Sequence, residues 1–410
     1  MKKIYILTTI IIISFAIIST AQVKRKFTIV GRSDVGTTTL WDGSVIRIYG
    51  YASTLSEEAI FPAKTIYVNE SDSVFLNVYN ISQGCEHTVH VHGMDMDTKN
   101  DGDPMFDHAI MHLQNRIYPF SAKHAGTYLY HCHVQGAVHV QMGMYGMLIV
   151  KSLGGAKTAW TGGPAYDKTY NWLLSEVDKY WHTNIPVPTK LGGDTLIVPK
   201  YKPDYFLING KSETELLVDD SIKIAGSQGE QIYLRTGNMG YYKNQIIFPS
   251  VLNATIIDSD GRPLPSAIRN DTLIVMPGER YGVMLNGSAQ YTGNINVSYS
   301  DMNTDSIWNT QKVPVTISGF LSVKDNKVES QVSIYPNPAK DLLYVTFKNY
   351  KSKNLRYSII NQLGQVVKQE KLDNITGSFS ADINNLNNGI YSIKIEYANN
   401  LIYEKIVISK

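Results

Sequence analysis

The run His131-Cys132-His133, followed by His139 and Met144, restricts this chain more than any other stretch. Residues Ala125 to Val134 read as a β-strand of small and aromatic residues with a short polar exit. Side chains on a strand alternate between its two faces. Cys132 therefore points to one side, and His131 and His133 to the other. One face is set to carry a thiolate into the domain interior, and the other carries two imidazoles outwards.

A second histidine segment lies upstream, Glu86-His-Thr-Val-His-Val-His-Gly93. His90 and His92 share a face, while His87 differs from them in parity in an extended chain. His87 thus looks inward with Cys132, and His90 and His92 look outward with His131 and His133. A thiolate, two imidazoles and a thioether suit a blue, type 1 copper ion, which assigns His87, Cys132, His139 and Met144 to one site. Met142 is a minor rival to Met144. The outward imidazoles, His90, His92, His131 and His133, would make a second, four-imidazole half-site. A structural zinc would not require the methionine. The chain has ten histidines, and the others, His108, His112, His124 and His182, read as ordinary surface or core groups.

The motifs His-x-x-His-x-His-Gly (87–93) and Gly126-Thr-Tyr-Leu-Tyr-His-Cys-His133 resemble those of multicopper oxidases and two-domain cupredoxin oxidases. That resemblance makes the outward half-site a type 2/3 copper site. Phe61-Pro-Ala-Lys-Thr-Ile66 resembles the strand entry of the same domains. Asn100-Asp-Gly102 falls where that family places an acidic residue beside its oxygen-binding copper cluster, which makes Asp101 a proton-relay candidate by resemblance. The chain departs from the family in one place. Six residues separate Cys132 from His139, against four in the usual oxidase motif.

Residues 1–21 read as a secretory signal peptide: Lys2 and Lys3, an apolar run from Ile4 to Ile18, then Ser19-Thr-Ala21. A membrane anchor is the competing reading, and the run is short for one. Export agrees with the cysteine count. Only Cys85 and Cys132 occur, and a copper-bound Cys132 leaves no pair for an intrachain disulfide. Cys85 reads as a small buried hydrophobe, with an intermolecular link as the alternative.

The expected architecture is all-β: two Greek-key cupredoxin domains and a small C-terminal β-sandwich. Residues 22–152 form the copper domain, built of many short strands punctuated by Gly, Asn and Asp. Glycine-rich Leu153-Gly-Gly155 and Thr161-Gly-Gly-Pro164 mark its end. Residues 165–322 form a second domain in which Trp172-Leu-Leu-Ser-Glu-Val-Asp178 and Pro277-Gly-Glu-Arg-Tyr281 resemble the second cupredoxin domain of multicopper oxidases. It holds His182 and no cysteine, so no type 1 site is possible there. Residues 323–331 are a polar linker. Residues 332–410, with Tyr335-Pro-Asn-Pro338, Gly364-Gln365 and Gly389-Ile-Tyr391, resemble the C-terminal sorting domain of the type IX secretion system. That likeness implies a Gram-negative host, passage through the periplasm and release at the cell surface or beyond. A carbohydrate-binding sandwich is the alternative, although no aromatic-rich face is apparent.

The formal charge of +2 gives no reason to expect nucleic acid or a membrane surface as partner. Neither a Gly-x-Ser-x-Gly nucleophile motif nor a phosphate loop is present. By resemblance, the partners are dioxygen, an unidentified reductant reaching the chain near His139, and the secretion machinery. The family's cluster takes eight imidazoles from two facing domains, and this chain supplies four. A twofold homo-oligomer would complete the set. The alternatives are a nitrite-reductase-like type 2 site, an electron-transfer cupredoxin, or a partner protein that brings the missing half. Phenols, Cu(I) and Fe(II) all remain open as reductant. Met94, Met96, Met105 and Met111 offer a conceivable Cu(I)-loading surface, with packing as the plainer role.

Overall fold

The structure, a computed structural model, describes residues 23–33, 36–185, 198–319, 332–362, 364–397 and 400–410. The expected signal peptide and linker lie outside the described residues. The chain is all-β and divides into a unit of residues 1–320 and a unit of residues 321–410.

Within the larger unit the N-terminal part is a sandwich of two four-stranded sheets. One sheet runs Gly50–Ala52, Lys24–Arg32, Ser73–Asn80, Gln114–Ser121, and the other Ala63–Asn69, Tyr145–Lys151, Gly126–His131, His90–His92. Ser73–Asn80 shows why it is a strand: Val74, Leu76 and Val78 are buried while the residues between them are half-buried. Parallel pairing of Lys24–Arg32 with Ser73–Asn80, and of Tyr145–Lys151 with Ala63–Asn69, gives the crossed connections of a Greek-key cupredoxin.

Gly126–His131 departs from simple alternation, since its first five residues are all buried. Tyr128 and Tyr130 enter the core of their own sandwich, whereas Leu129 packs with Leu173 and Met239 of the next domain. Burying a side chain the size of Leu129 is worth about 1.5–3 kcal/mol, so this strand ties the two domains together. It also decides where the outward histidines lie.

The second domain pairs a six-stranded sheet, in which Lys168–Val177, Gln231–Asn238 and Arg280–Asn286 are adjacent, with a five-stranded sheet that includes Ile307–Ser318 and Tyr291–Ser300. Its core centres on Trp172, Leu234, Val283 and Val297. Among the described residues, two short α-helices interrupt the strands of the larger unit. They are α1 (Gly136–Gln141), between Cys132 and Met144, and α2 (Lys179–Asn184), whose N-cap Asp178 accepts from the N–H groups of Tyr180 and Trp181.

The C-terminal unit is a small β-sandwich. Its two longest strands, Leu342–Ile360 and Val366–Asp382, pair along their length with a register break between Thr346 and Lys351. Leu343, Tyr357, Ile393 and Ile406 share its core.

Candidate metal centres

Cys132 stands one residue past its strand, where its N–H still bonds to Met144 O at 3.0 Å. That bond closes the loop carrying α1 and brings the loop's two ends together. Cys132 Sγ lies 3.2 Å from His139 Nδ1 and 3.7 Å from His87 Nδ1. A Cβ added to Gly31 would meet His87 Cδ2 at 3.2 Å and Met144 Cε at 3.4 Å, so the imidazole and the thioether border one spot. His87, Cys132, His139 and Met144 are all 0% exposed.

The far nitrogens of both rings are engaged. His87 Nε2 is 2.9 Å from Ser82 Oγ, and His139 Nε2 is 3.6 Å from Cys85 Sγ. Burial drives the His139 pKa down to about 3 and that of His87 well below the usual imidazole range. Burial also pushes the Cys132 thiol up to about 12. Two neutral imidazoles thus turn Nδ1 towards a buried thiol, a donor set suited to a thiophilic cation that displaces the thiol proton. This donor set fits copper.

The four-imidazole set gathers on the outer face. His90 and His131 are cross-strand partners, and Tyr145 flanks His131 on the other side. The rings of His90 and His131 have centroids 5.2 Å apart, those of His90 and His92 5.5 Å, and those of His90 and His133 5.4 Å. One nitrogen each from His90, His92 and His131 falls within 4.8 Å of the others. Burial, then the positive charge of Arg280, lowers His92 to about 4, and burial lowers His131 to about 3. Neutral rings are what a metal needs.

Asp101 stands behind His90. His90 Nδ1 is 2.8 Å from Asp101 O and 3.2 Å from Asp101 Oδ1, which turns Nε2 towards the other rings. The neighbouring Gly102 has φ +75°, and a Cβ there would lie 2.2 Å from Val89 O, so only glycine lets this loop close on the histidine strand.

A pocket of 270 Å³ opens beside these rings, lined by His92, His131 and His133, by Ala137 of α1, and by Met239 and Tyr241 of the second domain. Gly278 approaches closely, since a Cβ on it would sit 3.2 Å from His92 Cε1. The second domain of the same chain therefore walls the imidazole face. Its histidine, His182, is buried elsewhere, against the carbonyls of Arg47 (2.6 Å) and Gln141 (3.1 Å).

Sequence reasoning missed three things. A reductant cannot touch His139, because the ring is wholly buried and its outer nitrogen faces Cys85. Cys85 is buried as expected, yet it is also a partner of His139, a role its spacing from the motif does not signal. The contacts that hold α1 to the second domain were equally invisible. Among the methionines, Met94 and Met96 pack against the first core, while Met105 and Met111 are exposed.

Both modules of this chain are similar to known proteins. Residues 50–154 match the family model described as multicopper oxidase, and residues 333–409 match that of the secretion system C-terminal sorting domain. The fold is similar to the crystal structure of the blue copper oxidase from Nitrosomonas europaea, with 30% identity and a TM-score of 0.56 over 72% of this chain and 86% of that one. Among curated sequences, the copper-containing nitrite reductase of Alcaligenes xylosoxydans xylosoxydans is 26% identical over 39% of this chain and 50% of its own length. The L-ascorbate oxidase of Cucurbita pepo var. melopepo is 25% identical over 55% of this chain and 43% of its own length. The chain thus spans half or less of each of these two curated relatives.

Proposed function

Since this chain belongs to the multicopper oxidase family and ends in a type IX secretion sorting domain, we propose that it is an exported copper-dependent oxidoreductase. His87, Cys132, His139 and Met144 would hold one copper ion, and His90, His92, His131 and His133 would hold a second copper set; bound copper would supply one-electron oxidation of a reductant coupled to the reduction of dioxygen. The observation that carries this reading is the covalent one: Cys132 lies between His131 and His133, so both candidate sites meet in one tripeptide.

The chain's own residues have distinct parts. Cys132 links the interior set to the outer imidazoles through two peptide-bonded neighbours. Asp101 holds or releases a proton at Oδ1 beside His90. Met239, Val140 and Ala137 give the pocket an apolar wall that limits water around the rings. Sealing of the interior set confines a reductant to electron transfer through intervening protein, with Cys85 and Tyr49 lying against His139.

Four imidazoles are half of what a trinuclear cluster uses, and the second domain offers none to the pocket. A second copy facing this one across a twofold axis would bring the rest. A second reading has its own support: the three nitrogens of His90, His92 and His131 within 4.8 Å match the needs of a single, type 2 ion. In a third, the chain is an electron carrier. Delivery past the outer membrane, with a signal peptide removed in the periplasm, completes the proposal.

Copper per chain, the electron paramagnetic spectrum and the mass in solution separate these readings. By ligand arithmetic, a dimer sharing one trinuclear cluster holds about 2.5 copper ions per chain, a type 1 plus type 2 protein about two, and a carrier about one. A protein that binds no copper at all would sink the proposal.

A further inference from the structure

The second domain carries no copper ligand, yet it grips the one helix that carries His139. Gln141, two residues on in α1, is 4% exposed. Its Nε2 donates to Glu176 O at 2.9 Å and to Tyr201 Oη at 3.1 Å, and its Oε1 accepts from Asp178 N at 2.8 Å. Its backbone carbonyl faces His182 Nε2 at 3.1 Å. At the other end of α1, Tyr241 Oη donates to Ala137 O. Every one of these partners belongs to the second domain.

The grip is itself braced. Tyr201 Oη also donates to Glu176 Oε1 at 3.1 Å, and the N–H groups of Tyr241 and Tyr242 bond to the same oxygen. A Cβ on Gly240 would come within 1.9 Å of Glu176 Oε2, so that residue's lack of a side chain makes room for the carboxyl group. Meanwhile α1 is short at six residues, and its left-handed N-cap Gln135 gives no side-chain capping bond. A one-and-a-half-turn helix has little stability of its own. Its position has to come from outside.

We propose that Gln141 is a positioning residue, through which the ligand-free second domain sets the orientation of His139 towards Cys132. This rests on the assignment of His139 and Cys132 to a type 1 site. The same helix presents Ala137 and Val140 to the pocket beside His92, His131 and His133. One mounting therefore serves both candidate centres, and the second domain keeps a function without keeping ligands.

The test is Gln141→Met, which keeps length and volume while removing all three side-chain hydrogen bonds. Copper content, the blue absorption band, the copper hyperfine splitting, the midpoint potential and the melting temperature are measured together. Hydrogen exchange of residues 136–144 is followed in the copper-free protein. The expected result is full copper content with a shifted band, splitting and potential, and at least about tenfold faster exchange in α1, as loss of a kcal-scale anchor requires. Tyr201→Phe, which removes one of the bonds, should move the same readouts less and serves if Gln141→Met does not fold. Tyr205→Phe is the control: it breaks contacts between the domains at Asp42 (2.9 Å) and Ser44 (3.2 Å), away from α1, and should leave the spectrum alone. A lowered melting temperature with an unchanged spectrum and potential in Gln141→Met would overturn the proposal. So would equal spectral shifts in the Tyr205 control. Absence of any blue band in the unmodified protein would instead remove the type 1 assignment.

Discussion

His90 and His131 face each other across adjacent antiparallel strands, with ring centroids 5.2 Å apart. Each belongs to a different histidine motif, and His131 precedes the buried Cys132. Removing the outer rings while sparing the thiol should separate two activities. The double change His131→Ala and His133→Ala is expected to cut dioxygen reduction by at least about 100-fold, since ligands matter no less than the groups behind them. The blue colour should remain. Oxygen-electrode traces and visible spectra on the same sample decide this, and surviving turnover would contradict the outer copper set.

Cys132→Ser should abolish the blue band, because the intense absorption requires the thiolate. A pH effect accompanies this. With the thiol raised to about 12 and His139 lowered to about 3, the apo site near neutrality holds one displaceable proton. Copper uptake releases it, so affinity should rise about tenfold per pH unit between pH 6 and 8. Competition against a chelator at three pH values gives the slope, and a flat response would disprove the assignment of the thiolate as ligand.

Asp101→Asn keeps the shape and the backbone carbonyl that faces His90 but removes the carboxylate charge 3.2 Å from Nδ1. Steady-state turnover should fall on the order of 100-fold, the usual worth of a proton-transferring side chain. Copper content and colour should not change. If turnover is unaffected, the proton comes from elsewhere.

Glu176 is buried, and burial lifts its carboxyl from the ordinary 4.5 to about 7. The folded protein keeps that proton up to about pH 7, while the unfolded chain releases it near 4.5. Between these values the native state binds more protons, so the stabilisation is complete below pH 4.5 and is lost as pH rises to about 7, roughly 3 kcal/mol in all. Glu176→Gln should flatten the fall of the melting temperature between pH 5 and 7.5. Calorimetry across that range measures it, and two parallel curves would assign the pH dependence to other groups.

Ligand types and face parity are local properties, and they were readable directly. Alternation predicts Cys132 opposite His131 and His133, and the observed burial keeps that order although the strand, expected over 125–134, ends at His131. The lack of cysteine in residues 165–322 excludes a second type 1 site by chemistry alone. The sorting module was legible through its resemblance to a known family, carried by short marks such as Tyr335-Pro-Asn-Pro338 and Gly389-Ile-Tyr391.

What only the tertiary structure decided are the meetings of residues far apart in the chain. Cys85 reaches His139 across 54 positions, Gln141 reaches Glu176 across 35, and Gly278 closes on His92 from another domain. No periodicity encodes such contacts, since they depend on how one sandwich packs against the other through Leu129, Leu173 and Met239. The sequence by itself determined which imidazoles and which thiol share a face as candidate copper ligands; the packing of two cores determined that one set is sealed from solvent and that the other opens into a pocket walled by a domain without histidine at that face.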